Sequence, residues 1–217
     1  MKLLSVLAAA SLLGVFPQID RLPRYQFAGS DQLAFQITQG APADVFAAAS
    51  PKYPEQLYAQ GLCSKPATFA TNTVVLIVPR ANPARIRSVY DLQRSDIKLV
   101  IGAQGVPIGD YTRKLLANLG LSSVLKNVVS NEDDVKLVVA KVALGEADAG
   151  FVYRTDVRPV GNKVFRIAIP AKAEPTVKYE LCIVRNAKHP LLAASFVRKV
   201  LSKQGRAKLQ AAGFGVP

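Results

Sequence analysis

Short apolar runs alternate with amphipathic stretches along most of the chain, and their spacing predicts alternating strands and helices. Strands are expected ahead of the Ala9-Ala10-Ser11 loop, at Tyr25–Ala28 and Val45–Ala48, then at Thr73–Val78, Lys98–Gly102 and near Val128, and finally at Ala149–Tyr153, Val164–Ile169 and Val177–Val184. Helices are expected from about Gln32 to Gln39, from Ser50-Pro51 to Gly61, from Gly109 to Leu119, from Asp133 to Leu144 and from Pro190 to Ala212. A Pro-broken segment from Leu12 to Arg24 has room for one or two helical turns around Val15, Phe16 and Ile19. Strand-helix alternation of this kind argues for parallel sheets covered by helices.

One design occurs twice. Gly40-Ala41-Pro42-Ala43-Asp44-Val45-Phe46 and Gly145-Glu146-Ala147-Asp148-Ala149-Gly150-Phe151-Val152-Tyr153 each stop a helix at glycine, turn at an Ala-Asp pair and continue as an apolar strand. The repeat predicts two similar α/β lobes, each a mostly parallel sheet flanked by helices, joined by crossing strands with a ligand cleft between them. Residues 1–79 with 177–217 form lobe I on this reading, and 80–176 form lobe II. The crossing is expected near Arg80–Pro83, and the final helix returns to pack on lobe I.

At 217 residues, half of them hydrophobic and a fifth charged, the chain has the composition of a folded globular protein. The net charge of +13 raises the question of nucleic acid, but its distribution answers against it. Residues 176–217 hold eight basic residues and one acidic, Lys188, Arg198, Lys199, Lys203, Arg206 and Lys208 among them. No aromatic residues interleave with these in a reader motif, so they are read as a solvated helix face. Cys63 and Cys182 lack metal-ligand spacing and are either one disulfide or two buried thiols. The single histidine, His189, stands before Pro190 at a helix start, which leaves little for a Ser-His-Asp or Cys-His site.

Met1 to Ser11 reads in two ways. A lysine, an apolar run and small residues resemble a secretory leader, yet the run before Ala8 is short for one. A first buried strand followed by a small-residue loop ending at Ser11 is the preferred reading, and on it the export signal is not clearly present in these residues. No stretch approaches the roughly 20 apolar residues of a membrane span.

Four strand ends carry small or hydroxyl residues: Ala9-Ala10-Ser11, Ala28-Gly29-Ser30-Asp31, Gly105-Val106-Pro107-Ile108-Gly109 and Ser130-Asn131-Glu132-Asp133-Asp134-Val135. A fifth strand ends on Tyr153. In open α/β sheets such ends meet helix N-termini, whose unpaired N–H groups suit an anion. Hydroxyls add donors without burying a cation in an empty site. A plainer alternative makes Ser11 and Ser30 helix N-caps, and Tyr153 a packed rim residue. The glycines lack the Lys-Ser/Thr of a phosphate loop and form no G-x-G-x-x-G, which argues against nucleotide. Glu132, Asp133 and Asp134 suit a helix N-terminus better than a metal.

These residues resemble those of the molybdate-binding proteins of ABC importers, within the two-lobed type II periplasmic binding-protein fold. The resemblance spans nearly the whole chain through Leu7–Leu12, Phe27–Ser30, Gln39–Phe46, Leu76–Pro79, Val106–Tyr111 and Gly145–Tyr153. It implies a tetrahedral oxyanion, molybdate or tungstate, held by Ser11, Ser30, Ile108, Val135 and Tyr153. Ser11 and Ser30 would donate hydroxyl and backbone N–H, Ile108 and Val135 backbone N–H, and Tyr153 its phenolic hydroxyl. It further implies no catalysis, no cofactor, no cation site, a monomer, a periplasmic or extracytoplasmic location and delivery to an ABC transporter permease. Two departures stand out: the segment between Ser11 and Ser30 is short for the family, and Asp31 puts a carboxylate beside the expected site. Outside this resemblance, sulfate, phosphate or an organic anion are the alternative ligands. An α/β enzyme using Asp44 or Asp148 with Tyr153 is the alternative class.

Overall fold

The computed structural model describes residues 3–217, so Met1 and Lys2 of the leader reading lie outside the described residues. The first part of the chain runs β1 (Ser5–Ala9), α1 (Phe16–Ile19), β2 (Arg24–Ala28), α2 (Ser30–Thr38), β3 (Val45–Ala48), α3 (Lys52–Ala59) and β4 (Ala67–Asn72). The middle runs β5 (Val74–Pro79), β6 (Leu99–Gly102), α4 (Pro107–Asn118), β7 (Val128–Glu132), α5 (Val135–Ala143), β8 (Ala149–Tyr153), α6 (Arg154–Val157) and β9 (Val164–Ile167). The chain ends with β10 (Val177–Ile183), α7 (Pro190–Leu201) and α8 (Lys203–Ala211).

Two compact units result. Unit 1 comprises Met1–Asn72 with Val177–Pro217, and unit 2 comprises Thr73–Thr176. The division therefore falls before β5, which the sequence reading placed in lobe I up to residue 79. The reason is pairing: β5 is antiparallel to both β8 and β9 and forms an inner strand of the second sheet.

Each unit holds one five-stranded sheet, ordered β2-β1-β3-β10-β4 in unit 1 and β7-β6-β8-β5-β9 in unit 2. The strands linked by helices are parallel, β1 with β2 and β3, and β6 with β7 and β8. The remaining pairings are antiparallel in both. One strand of each sheet, β10 and β5, thus runs against the other four, because each is entered by a crossing from the other sheet, β9 to β10 and β4 to β5, and not through a helix of its own unit.

The echo is structural as well as sequential. Gly40 and Gly145 adopt φ of 79° and 75°, a left-handed conformation that glycine enters without strain. Each closes its helix with the same pair of bonds: Gly40 N–H to Ile37 O and Ala41 N–H to Gln36 O, and Gly145 N–H to Val142 O and Glu146 N–H to Lys141 O. Asp44 then straps the start of β1, accepting from Ser5 N–H at 2.8 Å and donating its own N–H to Ser5 O at 2.9 Å. Asp148 does the same with Lys98, at 2.8 and 2.9 Å.

In unit 1 an aromatic cluster packs α7 against α1 and β4. Phe16 meets Phe69 and Phe196 with centroids 5.7 and 5.6 Å apart. All three are fully buried, and each contributes about 1.5–3 kcal/mol by leaving water. The expected continuous helix from Pro190 to Ala212 is instead two, because Ser202 is extended and its hydroxyl accepts from Gly205 N–H to cap α8. Basic side chains of these helices reach back to the first segment: Lys199 pairs with Asp20, and Lys208 donates to Gln18 O.

Candidate functional site

Unit 1 places Ser11 and Ser30 at the carboxyl ends of β1 and β2, which are neighbours in the sheet. Ser11 sits in a 3-10 turn, Ala10–Leu12, and Ser30 opens α2. Neither is a helix cap. The cap positions are Ala9 and Gly29, and the serines lie inside the helical turns, so their hydroxyls turn away from the helix ends.

Their partners are long-range. Ser30 Oγ accepts from Ala49 N–H at 3.1 Å, just beyond β3. Ser11 Oγ shares a 3.0 Å bond with the Tyr179 hydroxyl on β10, which itself accepts from Asn72 Nδ2 at 3.3 Å. Both serines are buried, at 5% and 1% exposure, and Tyr179 is fully buried. A hydroxyl has one proton and two lone pairs, so a serine whose oxygen accepts from within the fold still has its proton to donate. Asp31, in the first turn of α2, lines a groove with Phe35, Tyr53 and Gln56 between α2 and α3.

Unit 2 builds its set from helix starts. α4 begins at Pro107 after Val106, so Ile108 is its second residue. The helix is drawn hard onto the end of β6: a Cβ on Gly109 would lie 2.2 Å from Ala103 O and 2.3 Å from Gly102 O. Asp110 fastens the preceding loop by accepting from Gly105 N–H at 2.8 Å. Arg113 donates to Gly102 O and Gly109 O, both at 3.0 Å.

At α5 the N-cap is Asp134, which accepts from Lys136 N–H at 2.6 Å and Leu137 N–H at 3.2 Å. Those bonds leave the Val135 N–H, the first of the helix, outside the cap. Glu132 is turned aside by Lys141 at 2.7 Å and Ser130 at 2.5 Å. Tyr153 ends β8, 1% exposed, with its ring edge-on to Tyr111 of α4 at 6.5 Å.

Ile108, Val135 and Tyr153 thus stand at the carboxyl ends of β6, β7 and β8, three adjacent strands. Lys136, one residue from Val135, is paired with the fully buried Asp156 at 2.6 Å. Burial pushes the Asp156 carboxyl up from the ordinary aspartate range, with Lys136 pulling against it. Lys136 is therefore engaged by a protein acceptor, and the groups expected to donate are neutral.

The catalytic alternatives separate in the fold. Asp148 lies at the amino end of β8 and Tyr153 at its carboxyl end, about 16 Å apart along an extended strand. Asp44 is bound to Ser5 N–H, to His189 N–H at 2.8 Å and to His189 Nδ1 at 3.2 Å. Among the described residues, no group of three or more His, Cys, Asp or Glu could hold a metal ion. Tyr179, Asn72, Ala49 and Asp156 support the set and were missed in the sequence, where nothing local marks a partner more than 100 residues away in the case of Tyr179.

Residues 23–215 match a family model described as bacterial extracellular solute-binding protein. The molybdate-binding protein ModA of Mycobacterium tuberculosis is 38% identical, with 98% of this chain and 84% of the relative covered. The solved periplasmic molybdate-binding protein of Azotobacter vinelandii superposes with a TM-score of 0.87 over 99% of both chains at 24% identity. The sulfate-binding protein SubI of Mycobacterium tuberculosis shares the fold, with a TM-score of 0.80 at 16% identity over 99% of this chain and 86% of the other. These likenesses place the two-unit α/β architecture in the type II periplasmic binding-protein fold.

Proposed function

We propose that this chain, which belongs to the bacterial extracellular solute-binding proteins, captures a tetrahedral oxyanion of molybdenum or tungsten and delivers it to an ABC transporter permease outside the cytoplasm. Proteins of this family and fold bind solutes and do not catalyse reactions. The molybdate assignment draws on the relatives' ligand and on the chemistry of the donors.

One observation carries the reading: both buried serine hydroxyls are held from within unit 1 instead of capping helices, Ser30 accepting from Ala49 N–H and Ser11 sharing a bond with the Tyr179 hydroxyl, whose oxygen accepts from Asn72. Ser30 keeps its proton to donate, and so does Ser11 where Tyr179 is the donor of their shared bond. Unit 2 adds the Ile108 and Val135 N–H groups and the Tyr153 hydroxyl. A site made only of donors favours a fully ionised anion, because a protonated oxygen would face a donor with another proton.

Calorimetric titration with molybdate, tungstate and sulfate tests the proposal. Tight one-to-one binding of molybdate and tungstate with weak sulfate binding is expected, since sulfate is the smaller anion. The shared fold of the sulfate-binding protein supplies the second reading. Preference for sulfate would adopt it and reject ours.

A further inference from the structure

Cys63 and Cys182 take no part in the donor sets, yet the fold brings them together. Cys63 follows α3 and Cys182 lies on β10, and both belong to the apolar cluster of Phe46, Leu57 and Val184 at 4% and 1% exposure. Cys63 bridges antiparallel to Val184, framed by Ser64 N–H to Ile183 O at 2.8 Å and Arg185 N–H to Leu62 O at 2.7 Å. Cys182 is two residues before Val184 and so shares its face of the strand, which makes the two cysteines diagonal neighbours. Both are free thiols here. Cys63 Sγ donates to Ser64 O at 3.3 Å and Pro54 O at 3.5 Å, and the neighbouring Cys182 thiol draws the Cys63 thiol below its ordinary range against the effect of burial, while Cys182 is pushed up.

We propose that Cys63 and Cys182 are a dithiol that closes to a disulfide joining the two chain segments of unit 1. That unit is assembled from Met1–Asn72 and Val177–Pro217, with all of unit 2 inserted between them. A bond between these cysteines staples the discontinuous unit and pins β10, the strand that carries Tyr179 behind Ser11. The oxidant is a small-molecule disulfide such as oxidised glutathione. The Cys63 thiolate attacks one of its sulfurs, breaking that S–S bond, releasing one glutathione thiolate and forming a mixed disulfide. The Cys182 thiolate then attacks the Cys63 sulfur and expels the second glutathione. Two protons and two electrons leave the protein, and one disulfide becomes two thiols. Exchange takes place as the chain folds, before the cluster buries both sulfurs, and the finished bond is shielded from reductant.

The test is independent of the ligand. The full chain is refolded in a glutathione redox buffer, acid-quenched, unfolded in denaturant and treated with a maleimide, then weighed intact. No label and a mass about 2 Da below the reduced chain are expected. Protease cleavage inside unit 2 should leave the flanking fragments joined until reductant is added. The oxidised chain should melt several degrees above the reduced one, a difference that Cys63→Ala and Cys182→Ala each abolish. Two labels per chain after equilibration, or disulfide-linked dimers in place of the internal bond, would overturn the proposal without any variant having to fold.

Discussion

The two units share sheet order, strand direction, the Schellman closure at glycine and the aspartate strap, yet the donors proposed for them at corresponding places differ. After the first parallel strand unit 1 offers Ser11 and unit 2 offers Ile108; after the second, Ser30 and Val135. On the proposed function, unit 1 works through side chains and unit 2 mainly through backbone. A hydroxyl can be deleted by substitution and must be oriented by partners such as Tyr179, whereas an N–H is fixed by the helix and survives any substitution except proline. The comparison predicts opposite sensitivities for equivalent positions.

The largest effect should come from the backbone route itself. Gly109→Ala places a methyl 2.2 Å from Ala103 O, against backbone that cannot yield as a side chain would. We expect a loss of about 3 kcal/mol or more in stability, with anion binding lost or greatly weakened because the start of α4 is displaced. Thermal melting and titration check it. A variant that melts and binds like the parent would show that the close approach does not position Ile108.

Next come the paired donors. Ser11→Ala and Ser30→Ala should each weaken anion binding by about 1–3 kcal/mol. Val135→Ala removes buried apolar surface and should lower stability by about 1–3 kcal/mol while changing affinity only a few-fold, because its N–H remains. Calorimetry and melting on the three variants separate the cases. Equal losses of affinity at Ser30 and Val135 would erase the distinction between the two units.

Much of this contrast was readable before any coordinates. The turns from glycine to an Ala-Asp pair recur, with two residues between in the first and one in the second, because helix closure at positive φ and the Asp strap are local chemistry, and Ala149–Tyr153 was bounded as observed. β4 was not read: Ala-Thr-Phe-Ala-Thr-Asn has a single large apolar residue, and the strand lies at the sheet edge, where one-sided pairing demands little pattern. The crossing was set late because β5 is uniformly apolar, and such a run does not say which sheet it joins. The break at Ser202 was hidden inside a continuous helical period. The five donor positions came from loop chemistry and family likeness. What orients them did not, since Ser11 meets Tyr179 across 168 residues and Asp156 meets Lys136 across 20.

The aspartate straps break the symmetry more gently. Asp44 is buried, which pushes its carboxyl up, but the N–H groups of Ser5 and His189 and the His189 ring outweigh that and bring it below the usual aspartate range. A depressed folded pKa gives stability that is complete above the unfolded value of about 3.9 and is lost as pH falls through the lower folded value. Asp44→Asn should cost about 1–2 kcal/mol at neutral pH and flatten acid unfolding in that window. Asp148 lacks the histidine and should cost less when changed to Asn. Melting of both variants from pH 7 down to about pH 2 checks the order, and a larger loss at Asp148 would reverse it.

The smallest effects separate two fully buried tyrosines, Tyr153 of unit 2 and Tyr179 of unit 1. If Tyr153 donates directly to the anion, Tyr153→Phe should lower affinity by about 0.5–1.5 kcal/mol, and the loss should persist when Ser11 is already alanine. Tyr179 acts through Ser11, so Tyr179→Phe should lower affinity less, by a few-fold at most, and should cost nothing further in the Ser11→Ala background. The double-mutant cycle on these positions is therefore the finest test of the contrast: unit 2 adds its one side-chain donor independently, whereas unit 1 transmits through a chain of hydroxyls. Additive losses for Tyr179 and Ser11 would instead give Tyr179 a contact of its own with the ligand.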